Sequence, residues 1–170
     1  MKFMNKAIFL DRDGTIIKDK GYTSNPDEIE FLDGVDVALK SFLLNGFKII
    51  IVTNQSGVGR GYYSEEDVKN VNDRIRSKLF EMSIQILDFY FCPHYKGSLI
   101  QKYNIKCNCR KPHPGMISLA INAHNIDASA SYMIGDKESD VLAGKKAKLK
   151  DSYLLCKDKN LLYYANLICK

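Results

Sequence analysis

The sequence predicts an α/β fold of three layers, in which helices cover both faces of a doubly wound, mainly parallel sheet. Short β-branched apolar runs alternate along the chain with segments that repeat apolar residues at helical spacing. The run at residues 47–52 (FKIIIV) is almost entirely apolar, as is typical of a strand buried on both faces. Polar clusters follow several of these runs, where ligands bind in such folds.

Each element has its own local signal. The first strand, a short apolar run, ends in charged residues and glycine. The first helix has one apolar face and ends before Gly46, and the second begins at Ser64, which acidic residues follow. The strands are expected at residues 7–10, 47–52, 86–92, 132–134 and 153–155, and the helices at 35–44, 64–82, 114–124, 139–147 and 161–168. Strict alternation favours parallel strands joined by helical crossovers.

Composition limits the class of protein. The 170 residues are 45% hydrophobic and 26% charged, which predicts one globular domain over residues 1–170. No apolar run reaches the ~18 residues of a membrane span, and no secretory signal opens the chain, so we expect a cytoplasmic protein. The net charge of +5 suits anionic ligands without identifying one. The motifs lie too close together for a large cap domain between them.

Four polar groups fall at predicted strand ends or helix entries. Asp11 to Thr15 (DRDGT) follow the first strand, Thr53 to Ser56 (TNQS) the second, and Gly135 and Asp136 the fourth. Arg110 and Lys111 precede the third helix. Because the carboxyl ends of parallel strands share one edge of a sheet, we expect these groups to meet there.

These residue types suit attack on a phosphate ester. Mg²⁺ prefers oxygen ligands, and carboxylates of Asp11 and Asp136 would supply two. Asp11 is the expected nucleophile, which forms an aspartyl-phosphate, and Asp13 is the expected acid and base. Thr53 and Lys111 would stabilise the phosphoryl group. Asp140 either orients neighbouring groups or caps a helix.

A cysteine-rich window provides a second metal-binding pattern. Cys92 and His94 are followed, after twelve residues, by Cys107 and Cys109. Three thiolates and one imidazole form a structural zinc set, although three buried free cysteines beside a histidine are the alternative. Such a zinc would pin the loop at about residues 92–109 and hold Arg110 over the phosphate. Cys156 and Cys169 are expected to be core or surface thiols.

The order of DxDGT, a strand-end Thr, a Lys and GDxxxD resembles the haloacid dehalogenase superfamily of phosphohydrolases. That resemblance implies the same catalytic roles, with the Asp13 backbone carbonyl as a further magnesium ligand. The segments TNQSGVGRGYYS, CPH, CNCRKPHPGM and SYMIGDKESD are similar to the D-glycero-D-manno-heptose 1,7-bisphosphate 7-phosphatases. This second resemblance implies removal of the 7-phosphate on the route to nucleotide-activated heptose of the bacterial envelope. It also implies a set of substrate-binding residues: Asp19, Lys20, Gly21, Tyr22, Asn54, Gln55, Ser56, Arg110 and Lys137.

Three other functions stay open on the sequence alone. Histidinol-phosphate phosphatases share the DxDGT motif and a similar zinc loop, and polynucleotide 3′-phosphatases share a TNQ-type motif. A zinc-ribbon-like binding module without catalysis is the alternative from another class. We expect a small sugar bisphosphate as substrate, a monomer, and neither nucleic acid nor membrane as partner. Arg60, in a glycine-flanked loop, is either a site residue or a surface residue.

Overall fold

A computed structural model describes residues 4–170 and contains one five-stranded parallel sheet in that range. The strands are β1 (Lys6–Leu10), β2 (Phe47–Asn54), β3 (Asp88–Cys92), β4 (Tyr132–Gly135) and β5 (Asp151–Leu154). The helices are α1 (Val35–Leu44), α2 (Ser56–Gly59), α3 (Glu65–Glu81), α4 (Gly115–His124), α5 (Glu138–Lys146) and α6 (Leu161–Ile168). The first three residues of the predicted domain lie outside the described part.

The strand order is β3-β2-β1-β4-β5, so β1 lies at the centre. The chain first builds outward through β2 and β3, then returns to the other side of β1 for β4 and β5. Leu10 at the end of β1 pairs with Ile51 of β2 and with Ile134 of β4. The predicted doubly wound sheet is confirmed, and its topological switch point lies between β1 and β4.

Alternation along the strands creates two apolar cores. Ile8 and Leu10 of β1 face the layer formed by α1, α3 and α6. Ala7 and Phe9 face the layer formed by α4 and α5. Because successive side chains of a strand point to opposite faces, one short strand serves both cores. The predicted three-layer arrangement is confirmed.

Helix ends follow the predicted signals. The Ser64 hydroxyl accepts a hydrogen bond from the Asp67 amide at 3.1 Å, and the Asp67 carboxylate accepts one from the Ser64 amide at 2.7 Å. Asp67 thus completes a capping box in the position where glutamate is more usual. Beyond α1, Gly46 adopts a φ of 78°, the left-handed conformation that ends many helices.

Several element boundaries differ from the prediction. β2 continues to Asn54 because Thr53 and Asn54 pair with Phe91 and Cys92 of β3. The last strand covers residues 151–154 instead of 153–155, and β3 begins at Asp88 instead of residue 86. The glycine-flanked loop expected around Arg60 directly follows α2, a single helical turn that contains two glycines. Within residues 4–170, no helix combines the length and apolarity needed to cross a membrane.

Candidate active site

Lys111 lies at the centre of the polar cluster at the carboxyl edge of the sheet. Its Nζ is 2.8 Å from Asp11 Oδ1 and 2.6 Å from Asp140 Oδ1, and it donates to the Val52 carbonyl at 2.7 Å. The side chain is almost fully buried. Burial alone would lower the pKa of Lys111, but the Asp11 and Asp140 carboxylates raise it above its usual value. Lys111 therefore remains a cation.

Asp11 and Asp136 meet at the switch point between β1 and β4. Ligand oxygens of Asp11, Asp136 and Asp140 lie within 4.8 Å of one another. Asp136 Oδ1 is buried without a hydrogen-bond partner among the described residues. Burial and the Asp11 charge raise the pKa of Asp136 to about 6. A buried oxygen without a donor, facing a second carboxylate, fits a hard divalent cation such as magnesium.

Gly14 leaves room for that arrangement. A Cβ atom at this position would lie 2.4 Å from Asp136 Oδ2, and the residue has a φ of 82°. Any other residue would therefore displace the Asp136 carboxylate and strain the backbone. The glycine of the DRDGT motif is needed for the approach of the two strand ends.

Asp140 performs both of the roles left open by the sequence. Its Oδ1 pairs with Lys111, and its Oδ2 accepts a hydrogen bond at 3.0 Å from the Lys137 amide at the start of α5. Only 1% of the residue is exposed. Asp140 thus caps the helix and orients Lys111 with the same carboxylate.

Asp13 is held by two donors beside this cluster. Arg12 Nε donates to Asp13 Oδ2 at 3.0 Å, and Gln55 Nε2 donates to the same oxygen at 2.9 Å. Gln55 Nε2 also lies 2.8 Å from Thr53 Oγ1, and the Tyr63 hydroxyl donates to Gln55 Oε1 at 2.8 Å. Because Thr53 accepts from Gln55, its own proton is free to donate elsewhere.

Arg12 and Tyr63 are functional candidates that the sequence analysis missed. Arg12 is fully buried, and its guanidinium also donates to Asn72 Oδ1 at 3.0 Å and to the Thr23 carbonyl. Both residues lie inside the quoted motifs, DRDGT and GRGYYS. Their positions in the motifs were visible, but burial and partners depend on the folded chain.

A cleft of about 490 Å³ opens above these residues. Most of the predicted substrate-binding residues line it: Asp19, Gly21, Tyr22, Asn54, Gln55, Ser56, Arg110 and Lys137. Asp13 and Lys111 line it as well. Lys137 Nζ lies 3.6 Å from Asp19 Oδ2, so a partly exposed ion pair joins two walls of the cleft.

Two of the predicted substrate-binding residues have other partners. Lys20 does not line the cleft, because its ammonium group pairs with Glu30 and donates to the Glu28 carbonyl at 2.9 Å. Asn54 lines the cleft, but its amide donates to the Lys111 carbonyl and accepts from the Lys111 amide, both at 3.0 Å. Asn54 therefore positions the backbone of Lys111.

The four predicted zinc ligands lie together. Cys92 Sγ is 3.7 Å from Cys107 Sγ and 2.9 Å from Cys109 Sγ, and His94 Nδ1 is 3.2 Å from Cys109 Sγ. A tetrahedral site with Zn–S bonds of ~2.3 Å separates its sulfur atoms by roughly 3.8 Å. The Cys92–Cys107 distance matches this value, whereas Cys92 and Cys109 are closer together and would have to move apart around a metal. The hydrogen bond between the two thiols lowers the pKa of Cys109 to about 5 and raises the pKa of Cys92, so Cys109 is the one of this pair that is favoured as a thiolate. The donor set fits a closed, structural zinc site.

Comparison with known proteins adds a family to this geometry. Residues 6–161 match the family described as polynucleotide kinase 3 phosphatase. The chain is 41% identical over 167 residues to the D-glycero-beta-D-manno-heptose-1,7-bisphosphate 7-phosphatase of Helicobacter pylori, with 98% of this chain and 92% of that protein covered. It is 41% identical over 150 residues to the D-glycero-alpha-D-manno-heptose-1,7-bisphosphate 7-phosphatase of Photorhabdus laumondii, with 88% of this chain and 82% of that protein covered.

Solved structures agree on the fold. A putative HAD-like phosphatase from Mesorhizobium loti superposes with a TM-score of 0.89 at 30% identity, covering 97% of this chain and 86% of that one. The D,D-heptose 1,7-bisphosphate phosphatase of B. bronchiseptica, solved with magnesium and phosphate, gives a TM-score of 0.81 at 24% identity, covering 96% and 97%. The chain therefore belongs to the heptose-1,7-bisphosphate 7-phosphatase family of haloacid dehalogenase-like phosphatases.

Proposed function

We propose that this protein is a magnesium-dependent phosphatase that removes the 7-phosphate of D-glycero-D-manno-heptose 1,7-bisphosphate. The observation that carries the proposal is the contact of Lys111 with Asp11, beside an Asp136 oxygen that lacks a donor. This arrangement combines a nucleophile, a fixed cation and a site for a second cation. The names of the curated relatives support the choice of substrate.

The magnesium ion would be held by the carboxylates of Asp11 and Asp136 and by the Asp13 backbone carbonyl. When bound, it neutralises charge on the phosphate dianion and on the attacking carboxylate. Bond formation, bond cleavage and proton transfer are all assigned to side chains of the protein.

In the first step an Asp11 oxygen attacks phosphorus and forms an aspartyl-phosphate. The bond from phosphorus to the sugar oxygen breaks, and protonated Asp13 transfers its proton to that leaving oxygen. In the second step Asp13, now ionised, takes a proton from water, and the water oxygen attacks phosphorus. Asp11 leaves as a free carboxylate, and inorganic phosphate is the product.

The surrounding hydrogen bonds fit these roles. Lys111 and the free Thr53 proton provide donors for the phosphoryl oxygens in the trigonal transition state. Gln55 links Asp13 to Thr53, so the proton donor and the phosphate contact share one support. Rigid support of this kind contributes to rate because the groups are oriented before reaction.

The rest of the cleft would hold the sugar and the phosphate that is not cleaved. Arg110 is the proposed partner of that distal phosphate because its planar guanidinium can bind two oxygens at once. Lys137, Asp19 and Tyr22 would contact the sugar. Within residues 4–170 no large cap domain covers the cleft, so loops shape this opening.

The zinc site is proposed to be structural, and the process to be nucleotide-activated heptose synthesis for the bacterial envelope, in the cytoplasm. Zinc would fix the loop that carries Arg110 and Lys111, because Cys109 directly precedes them. A monomer is proposed as the working form. Elemental analysis of the purified protein and light scattering test the zinc content and the oligomeric state.

The function is tested by comparing kcat/KM for four substrates: the α and β anomers of the heptose 1,7-bisphosphate, histidinol phosphate, and a 3′-phosphorylated oligonucleotide. We expect one heptose anomer to be preferred by at least ~100-fold over the last two, since only the bisphosphates place a second, dianionic phosphomonoester on the same sugar for Arg110 to bind. Preference for histidinol phosphate or for the oligonucleotide would refute the proposal. Both anomers are needed because the relatives include enzymes named for each.

A further inference from the structure

A second cleft adjoins the proposed substrate cleft on the side of the cysteine cluster. Its volume is about 670 Å³, within the ~300–1,000 Å³ that is typical of small-molecule sites. Arg110 and Lys111 line both clefts, so the two share a wall. Lys96 and Lys106, from the loop that follows β3, line only the second cleft. We call it the basic cleft.

The basic cleft differs from the substrate cleft in charge. Asp13 and Asp19 line the substrate cleft, whereas no carboxylate lines the basic cleft in the described part of the chain. The cause is local composition, because residues 89–126 contain five lysines and arginines and no aspartate or glutamate.

Three cations of the basic cleft have no ion-pair partner. Lys111 is neutralised by Asp11 and Asp140, but Lys96, Lys106 and Arg110 make no ion pair with any carboxylate of residues 4–170. Arg110 makes one long contact of 3.4 Å with the His94 carbonyl. Three thiolates and a neutral imidazole around a divalent ion leave only one formal negative charge nearby. The cleft therefore keeps an excess of positive charge.

Tyr95 supplies an aromatic wall. The Arg60 guanidinium carbon lies 3.7 Å from the centre of its ring, a cation–π contact that fixes the ring. The neighbouring Gly59 carbonyl accepts a hydrogen bond from the Ser98 hydroxyl of the cysteine-rich loop. The wall is thus anchored on α2 as well as on its own loop.

We propose that the basic cleft binds a small anion with two adjacent phosphate groups, contacted by Lys96, Lys106 and Arg110. Such a group carries about three negative charges near neutral pH, which matches the three unpaired cations. Since Arg110 also faces the substrate cleft, an occupied basic cleft competes with substrate. That competition rests on the proposed function, whereas the binding itself does not.

The test is calorimetric titration of the zinc-loaded full chain, without substrate, with inorganic pyrophosphate and with ADP. The variant Lys96→Ala/Lys106→Ala is expected to weaken binding about tenfold, because each lost charge contact removes a few-fold of affinity. Lys145→Ala/Lys146→Ala makes the same change in charge at the exposed end of α5 and should weaken binding less than twofold. Equal zinc content in the variants excludes a damaged loop.

Three results would overturn the proposal: no binding of either anion, equal weakening in both double variants, or full affinity without Lys96 and Lys106. The two probes show whether the site recognises the diphosphate group alone or a nucleotide that carries it. Tighter binding of ADP that Tyr95→Ala abolishes identifies a nucleotide, and equal affinities identify the diphosphate group alone. If pyrophosphate binds through Lys96 and Lys106 but no phosphate ester is hydrolysed, the proposed function fails and this site stands.

Discussion

The carboxylate cluster and the cysteine cluster are both candidate metal sites, but they are assembled in different ways. Asp11 and Asp136 come from the ends of two strands that are far apart in sequence and neighbours in the sheet. Cys92 and Cys109 belong to one loop and its flanks. The first site exists only when the sheet has formed, whereas the second depends mainly on one segment.

The two clusters also differ in whether they leave a position open for a further ligand. The cysteine cluster offers four candidate protein ligands, which would leave no position for water on a tetrahedral metal. The carboxylate cluster retains an Asp136 oxygen that has no hydrogen-bond partner within residues 4–170, and it is bounded by Lys111. Lys111 follows Cys109 by two residues, so the closed site positions a side chain of the open one. We infer that one metal would serve structure and the other catalysis.

The largest effect is expected for Asp11→Asn, which removes the proposed nucleophile. We expect kcat to fall by at least ~10³-fold, with melting temperature within a few degrees of wild type. Asp73→Asn, at an exposed position of α3, is the matched control and should keep full activity. Steady-state kinetics gives kcat, and thermal melts give the melting temperature, for both variants. Substantial turnover by Asp11→Asn would exclude Asp11 as the nucleophile.

Cys107→Ser tests the cysteine cluster, and here the expected loss is in stability, with a much smaller effect on turnover. Loss of one thiolate should release zinc and lower the melting temperature by roughly 5–10 °C. The kcat should fall far less than in Asp11→Asn, because every group of the proposed mechanism remains. Cys156→Ser, outside the cluster, is the control and should keep its zinc. A Cys107→Ser protein with unchanged zinc and stability would contradict a structural metal.

Sequence reasoning predicted the parts of the site that depend on strand order and on spacing. Parallel alternation was enough to place Asp11 near Asp136, and the C-x-H and C-x-C pairs were enough to group the four zinc-type ligands. Both inferences rest on regular features, namely the edge of a sheet and the spacing along one loop.

The network around Asp13 could not be predicted in the same way. It depends on α2, a helix of four residues that contains Gly57 and Gly59 and has no periodicity. A Cβ at Gly57 would lie 2.2 Å from the Tyr63 ring, so packing explains this glycine. The partners of Gln55 follow from that close approach. The turn of Lys20 toward Glu30 likewise depends on loop geometry, which has no repeating pattern.

A smaller effect is expected from the charge of Asp136. Its pKa is raised from 3.8 to about 6, so the folded chain binds more protons than the unfolded chain between these values. The stability that comes from the protonated form is therefore lost as pH rises through about 6. Without added magnesium, Asp136→Asn should raise the melting temperature by about 2–4 °C near pH 7.5 and by roughly a third as much near pH 4.5, where part of the loss has already occurred.

Magnesium provides the control for that prediction. Added Mg²⁺ should stabilise the wild type near pH 7.5 and have little effect on Asp136→Asn, because a ligand that binds the folded state raises its stability. Asp73→Asn should respond as the wild type does. An equal gain for Asp136→Asn at both pH values would show that its carboxylate does not carry the raised pKa.

The smallest effect is expected for Tyr63→Phe, which removes one hydroxyl and keeps the ring against Gly57. Burial raises the pKa of Tyr63 to about 12, so its hydroxyl donates to Gln55 at any ordinary assay pH. Without that bond Gln55 can rotate away from Asp13, and we expect kcat to fall ~3–10-fold with KM little changed. Tyr62→Phe, at the exposed neighbouring position, should be neutral. A change in KM alone would instead indicate that Gln55 contacts the substrate, and the support of Asp13 would then have to come from Arg12.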